Sequence, residues 1–134
     1  MTCIVGVVKG NSVYLGGDRA ATDGELNRTI LKEPKLAVLG EVGFGICGSP
    51  KILNALKSGV RLPTQTNGDA REFLMGQVVP AITELFKKMD CTVDHPEHGP
   101  VFQGAMLVAY RGMLFTMQSN FQMIESDSGY ASVG

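Results

Sequence analysis

Thr2 follows Met1 and runs directly into an apolar, largely β-branched stretch, Cys3-Ile4-Val5-Gly6-Val7-Val8. Once Met1 is removed, this threonine carries a hydroxyl and a free α-amine on one residue. That is a nucleophile with its own general base attached. The α-amine has a reference pKa of about 7.7–8.0, far nearer neutrality than lysine at about 10.4. Asp18 stands sixteen positions on, at the end of a second apolar stretch. Lys35 opens a third within Pro34-Lys35-Leu36, and Gly48 closes a fourth within Gly45-Ile46-Cys47-Gly48-Ser49. Taken singly, each residue has an ordinary reading. A threonine after methionine is common, an aspartate after two glycines is a turn residue, a lysine before a strand is a solvated charge, and a glycine before a helix is a junction. The joint placement is the signal.

Other chemistry-bearing residues give less. Cys91, His95 and His98 have a Cys-x3-His-x2-His spacing, but structural zinc usually takes four ligands and no fourth cysteine or histidine is near in sequence. No metal is expected. Met106, Met113, Met117 and Met123 read as adaptable core filler. Three cysteines, Cys3, Cys47 and Cys91, are an odd number without close spacing, as expected of reduced thiols in the cytoplasm.

The elements that must position the reactive residues follow from turn signals and periodicity. Residues 2–8 and 13–15 flank Lys9-Gly10-Asn11-Ser12 and predict a hairpin that Gly16-Gly17-Asp18 ends. Residues 19–33 are polar and mixed and read as an extended excursion. Residues 35–39 and 42–47 predict a second hairpin about Gly40-Glu41, its glycines marking close backbone approach. Ser49 is a capping residue and Pro50 suits a first helical position, ahead of Ile52, Leu53 and Leu56; Gly59 ends that helix. Asp69-Ala70-Arg71-Glu72 has capping-box spacing. Leu74, Val78, Ile82, Leu85 and Met89 then mark a long amphipathic helix with Pro80 as a kink point. The loop 94–100 breaks it off, and residues 101–110, 113–118, 121–125 and 129–133 read as four more strands. Four strands, two helices and four strands predict an α+β layered fold of two antiparallel sheets, with helices on an outer face.

At 134 residues the chain fits a single domain, 1–134, with enough interior for a real core. A net charge of −1 supplies no basic excess for phosphates, so nucleic acid is not an expected partner. No apolar stretch approaches the roughly 20 residues of a membrane span, and the N-terminus lacks the pattern of a signal peptide. Charged residues are only 19% against about 25% in typical domains, which suggests surface buried between subunits.

Thr2-Cys3-Ile4-Val5-Gly6-Val7 followed by Gly16-Gly17-Asp18 resembles the opening of proteasome β-type threonine peptidases. The likeness is greatest to the bacterial proteasome-like peptidase that works with an ATP-driven unfoldase. It continues through Pro34-Lys35-Leu36, Gly45-Ile46-Cys47-Gly48-Ser49 and Gly129-Tyr130-Ala131-Ser132-Val133-Gly134, and is most specific over the first fifty residues. The resemblance implies an N-terminal-nucleophile hydrolase with a four-layer αββα sandwich, assembled as homo-oligomeric rings and cleaving polypeptides without a cofactor. By position, Thr2 matches the nucleophile and Lys35 the lysine that depresses the α-amine pKa. Asp18 matches the carboxylate that keeps the lysine charged, and Gly48 the oxyanion donor. Ala20 and Ala21 lie where bound peptide is expected. The family continues past the position of Gly134 into a serine, further helices and two strands. The resemblance therefore implies a sandwich truncated at its C-terminal end, as a fragment or with another chain covering the open face. Two other functions stay open: a non-catalytic ring or shell subunit on the same fold, and an amidase acting on a small molecule.

Overall fold

The computed structural model describes residues 2–22 and 27–134. Met1, whose removal is expected, and residues 23–26 of the expected excursion lie outside the described residues. Strands β1 (Ile4–Lys9), β2 (Ser12–Gly17), β3 (Ala20–Thr22), β4 (Arg28–Ile30), β5 (Leu36–Leu39) and β6 (Val42–Gly48) precede the helices. The helices are α1 (Pro50–Leu56), α2 (Ala70–Phe73) and α3 (Val79–Lys88), the last two joined by a π-helical turn, Leu74–Val78. Strands β7 (Thr92–His95), β8 (Gly99–Phe102), β9 (Gly104–Tyr110), β10 (Met113–Met117), β11 (Met123–Glu125) and β12 (Tyr130–Val133) follow.

Two antiparallel sheets stack, one ordered β12-β1-β2 and the other β11-β10-β9-β6-β5. The strand period of two explains which residues fill which layer. Val42, Phe44 and Ile46 of β6, Met106, Val108 and Tyr110 of β9, and Phe115 and Met117 of β10 turn to the helix side. There they bury against Ile52, Leu56, Leu74, Val78, Ile82 and Phe86. The alternate positions Leu107 and Leu114 turn inward against Ile4, with Val8, Val13, Leu15, Leu36, Ala131 and Val133 around them. A Cβ at Gly45 would fall on the Ile4 side chain, so the glycine is what lets β1 lie close over β6. The outer face of the small sheet carries Val5, Val7, Tyr14 and Tyr130, all exposed.

Both predicted hairpins form. Val8 pairs with Val13 across the first turn, and Leu39 with Val42 across the second. Ser49 caps α1, its hydroxyl accepting from the Lys51 N–H at 3.3 Å, with Pro50 in the first turn. Asp69 caps α2 through the Arg71 and Glu72 N–H groups. The long helix expected here is divided into α2, the π turn and α3, with Pro80 in the first turn of α3. Proline has no N–H to donate back four residues and its ring crowds that carbonyl, so a wider turn relieves both conflicts. Met106 and Met117 are fully buried as core filler, and Met113 and Met123 pack half-buried beside them.

Three elements differ from expectation, and the first is the strand expected over 101–110, which divides at Gln103 into the end of β8, in the ribbon with β7, and β9, in the five-stranded sheet. The excursion at 19–33 contains the ribbon β3–β4, in which Ala20 pairs with Ile30 and Thr22 with Arg28. Its residues are too short a run and too polar to announce strands. The loop at 94–100 is the turn of a second ribbon, β7–β8, with His95 opposite Gly99 and Asp94 opposite Pro100. Pro100 is tolerated because this ribbon has two strands only and one side of each needs no partner. His95 and His98 stack at its tip with ring centroids 4.7 Å apart. Among the described residues, no group of three or more His, Cys, Asp or Glu side chains is placed to hold a metal ion. No helix among them is long and apolar enough to cross a membrane.

Candidate active site

Four strand ends meet where β1 begins. The Asp18 N–H donates to the Cys3 carbonyl at 3.3 Å and the Lys35 N–H to the Asp18 carbonyl at 3.1 Å. The Ile46 N–H donates in turn to the Lys35 carbonyl at 2.9 Å. This backbone chain ties the start of β1, the end of β2, the start of β5 and the end of β6 across both sheets. Thr2, Asp18, Lys35 and Gly48, separated by as many as 46 positions in sequence, are brought to one corner.

The Lys35 ammonium donates to Thr2 Oγ1 at 2.8 Å and lies 2.9 Å from Asp18 Oδ1. The Lys35 side chain is only 13% exposed and that of Asp18 30%. Asp18 is itself held on both oxygens: Oδ2 accepts from the Cys3 N–H at 2.6 Å and Oδ1 from the Ala20 N–H at 2.9 Å. Burial pushes the Asp18 carboxyl up. The Cys3 N–H, the Lys35 and Ala20 hydrogen bonds and the lysine charge outweigh it and lower the pKa to about 2. Asp18 is therefore an anion at any moderate pH, and it keeps a cation beside the threonine hydroxyl.

Gly48 ends β6 with φ +125°, a conformation that favours glycine. It shares a cleft of about 100 Å³ with Thr2, Ala20, Ala21, Lys35 and Ser49, walled further by Leu31, Ile46, Pro50 and Leu53. Ala20 and Ala21 reach it because β3 leaves the Asp18 turn directly, and the Leu31 N–H bonds to the Arg19 carbonyl at 2.7 Å to close the ribbon. Of the six residues singled out by sequence, five line this cleft, and Asp18 stands behind it paired with Lys35.

Sequence reasoning missed the apolar walls. Leu31 lay in the supposed excursion, while Ile46 reads as part of the second hairpin and Leu53 as part of the first helix. The available signal was local, since Ile46 sits two residues before Gly48 and Leu53 on the helix that Ser49 caps. It also missed the role of Gly134. A Cβ there would fall on the Thr2 carbonyl oxygen and lie 2.7 Å from its carbon, so β12 ends against the backbone of Thr2.

No family model and no curated protein sequence matches the chain. Solved structures do. Thiobacillus denitrificans BPH in complex with epoxomicin superposes with a TM-score of 0.73 at 16% identity, over 98% of this chain and 71% of that one. Eukaryotic HslV from Trypanosoma brucei gives 0.55 at 21% identity, over 98% and 71%. Anbu, an ancestral β-subunit, from Yersinia bercovieri gives 0.61 at 16%, over 100% and 60%. At these identities the similarity is one of fold. This chain shares the fold of these proteasome-like structures.

Proposed function

We propose that the protein is a threonine-type endopeptidase subunit of a self-compartmentalising protease, active once Met1 has been removed. The observation that carries this reading is the Lys35 ammonium, 2.8 Å from Thr2 Oγ1 and paired with Asp18 at 2.9 Å. The freed α-amine takes the hydroxyl proton, directly or through water, as Thr2 Oγ1 attacks the scissile carbonyl. The fixed charge on Lys35 disfavours a second cation nearby and so keeps the amine available as a base. The tetrahedral oxyanion is received by the Gly48 N–H. The proton then passes from the α-ammonium to the departing amine, leaving an ester on Thr2. Water, activated by the same amine, hydrolyses that ester and restores the hydroxyl.

The cleft beside Thr2, polar where Thr2, Lys35 and Ser49 line it and apolar between Ala20, Ile46 and Leu53, supports a peptide substrate, because it has room for one side chain of modest size. The reading includes a single domain of four-layer αββα plan, in which a further layer covers the exposed outer face of the small sheet. It also includes homo-oligomeric rings in the cytoplasm, fed with polypeptides by an ATP-driven unfoldase. No cofactor is required for this chemistry.

Thr2→Ala abolishes peptide hydrolysis while leaving assembly intact, and Lys35→Met lowers turnover by roughly 10²–10⁴, the usual worth of general acid–base assistance. Turnover unchanged in Thr2→Ala sinks the proposal. Intact-mass measurement separates the non-catalytic shell subunit, which keeps Met1, from the enzyme, which loses it. Labelling of Thr2 by a peptide electrophile separates the peptidase from a small-molecule amidase.

A further inference from the structure

The backbone donors of β6 alternate between its two neighbours, as an antiparallel ladder requires. The Ile46 N–H donates to Lys35 on the β5 side, and the Ser49 N–H to the Gln103 carbonyl on the β9 side at 3.1 Å. Gly48 is two residues beyond Ile46, so its N–H turns to the β5 side. There β5 pairs with β6 only from Val42 to Gly45, and the cleft takes its place. The other half of the same peptide unit, the Cys47 carbonyl, faces β9. The aim of the oxyanion donor is thus fixed by whatever Cys47 oxygen meets on β9.

It meets a glycine. Gly48 lies directly opposite Gly104, the first residue of β9, and Cys47 opposite Ala105. A Cβ on Gly104 would fall on the Cys47 carbonyl oxygen, 3.1 Å from its carbon and 3.2 Å from Gly48 Cα. A Cβ on Gly48 would fall on the Gln103 carbonyl oxygen, 2.6 Å from Gly104 Cα. Both residues hold positive φ, +125° and +155°. The obstacle in each case is backbone, which cannot swing aside as a side chain does.

We infer that Gly104 is a positioning residue for the oxyanion site. Its missing side chain lets β9 press against the Cys47–Gly48 peptide and hold the Gly48 N–H aimed into the cleft before substrate arrives. This rests on the peptidase reading. Donors fixed in advance at the point where charge develops give the largest catalytic return, so a small tilt of this one peptide is felt in the transition state and little in substrate binding.

The test is Gly104→Ala in the assembled, Met1-free protein, with Gly76→Ala as the control because a Cβ there meets nothing within 4 Å. We expect kcat to fall roughly 10- to 100-fold, short of the ~10²–10³ for losing a whole oxyanion donor, with KM within about threefold. A peptide boronate, which forms a tetrahedral adduct on Thr2, loses affinity in the same proportion, while a non-covalent peptide of the same sequence does not. Unchanged kcat, or equal losses for both ligands, overturns the inference. If Gly104→Ala does not assemble, structures of the unsubstituted protein free and with the boronate decide. A Cys47–Gly48 peptide that keeps its orientation supports the clamp, and one that flips on binding refutes it. Absence of turnover in the unsubstituted protein defeats the peptidase reading and the clamp together, whereas unchanged turnover in Gly104→Ala defeats the clamp alone.

Discussion

Lys35 sits between two groups that ask different things of it, a carboxylate that needs its charge and a hydroxyl that needs its hydrogen bond. Asp18 binds it at 2.9 Å while spending its remaining capacity on the Cys3 and Ala20 N–H groups. The same carboxylate therefore fixes both the cation and the backbone that carries Thr2. Its pKa is lowered from 3.8 to about 2, so the folded protein binds fewer protons there than the unfolded chain. The resulting stabilisation is fully present above about pH 4 and is lost as the pH falls toward 2. Urea unfolding across this acid range should show that loss in the unsubstituted protein and a flatter profile in Asp18→Asn; identical slopes would contradict the assignment. The spacing of Thr2, Asp18, Lys35 and Gly48 was legible because each sits at an end of a strand that its neighbours already marked. Leu31 and Leu53 were not, since an apolar residue lining a cleft and one filling a core look alike until the surrounding elements are placed.

The helices and long strands could be read from periodicity and caps because their stability is local or one-sided. Asp69 shows how local it is. Its carboxylate accepts from the Arg71 N–H at 2.6 Å and the Glu72 N–H at 3.4 Å, at a point that shares no residue with the Thr2 cleft. Asp69→Ala should lower stability by about 1 kcal/mol in denaturant titration with no change in turnover, the ordinary worth of a cap. The ribbons β3–β4 and β7–β8 were illegible for the opposite reason. Ala20, Ala21, Asp94 and Pro100 have no strand preference of their own, and pairing with a single partner at the surface imposes the extended form. That the first of these ribbons forms the cleft wall explains why the cleft was harder to foresee than the Thr2–Lys35–Asp18 cluster.

Layer order in the whole molecule follows from one face of each strand. The helix layer seals the five-stranded sheet, while Val5, Val7, Tyr14 and Tyr130 stand exposed on the far side of the small sheet. The low fraction of charged residues, 19%, favours assembly through the remaining surface. Light scattering should give a particle mass that is a multiple of 14.3 kDa, and a stable particle of a single chain would contradict the ring reading. The position of Gly134 has a practical corollary for anyone handling this protein. Whatever is joined after Gly134 emerges against the Thr2 backbone. The exposed Gly10–Asn11 turn is eight residues up an extended strand, so an affinity handle inserted there would hang roughly 25 Å from Thr2.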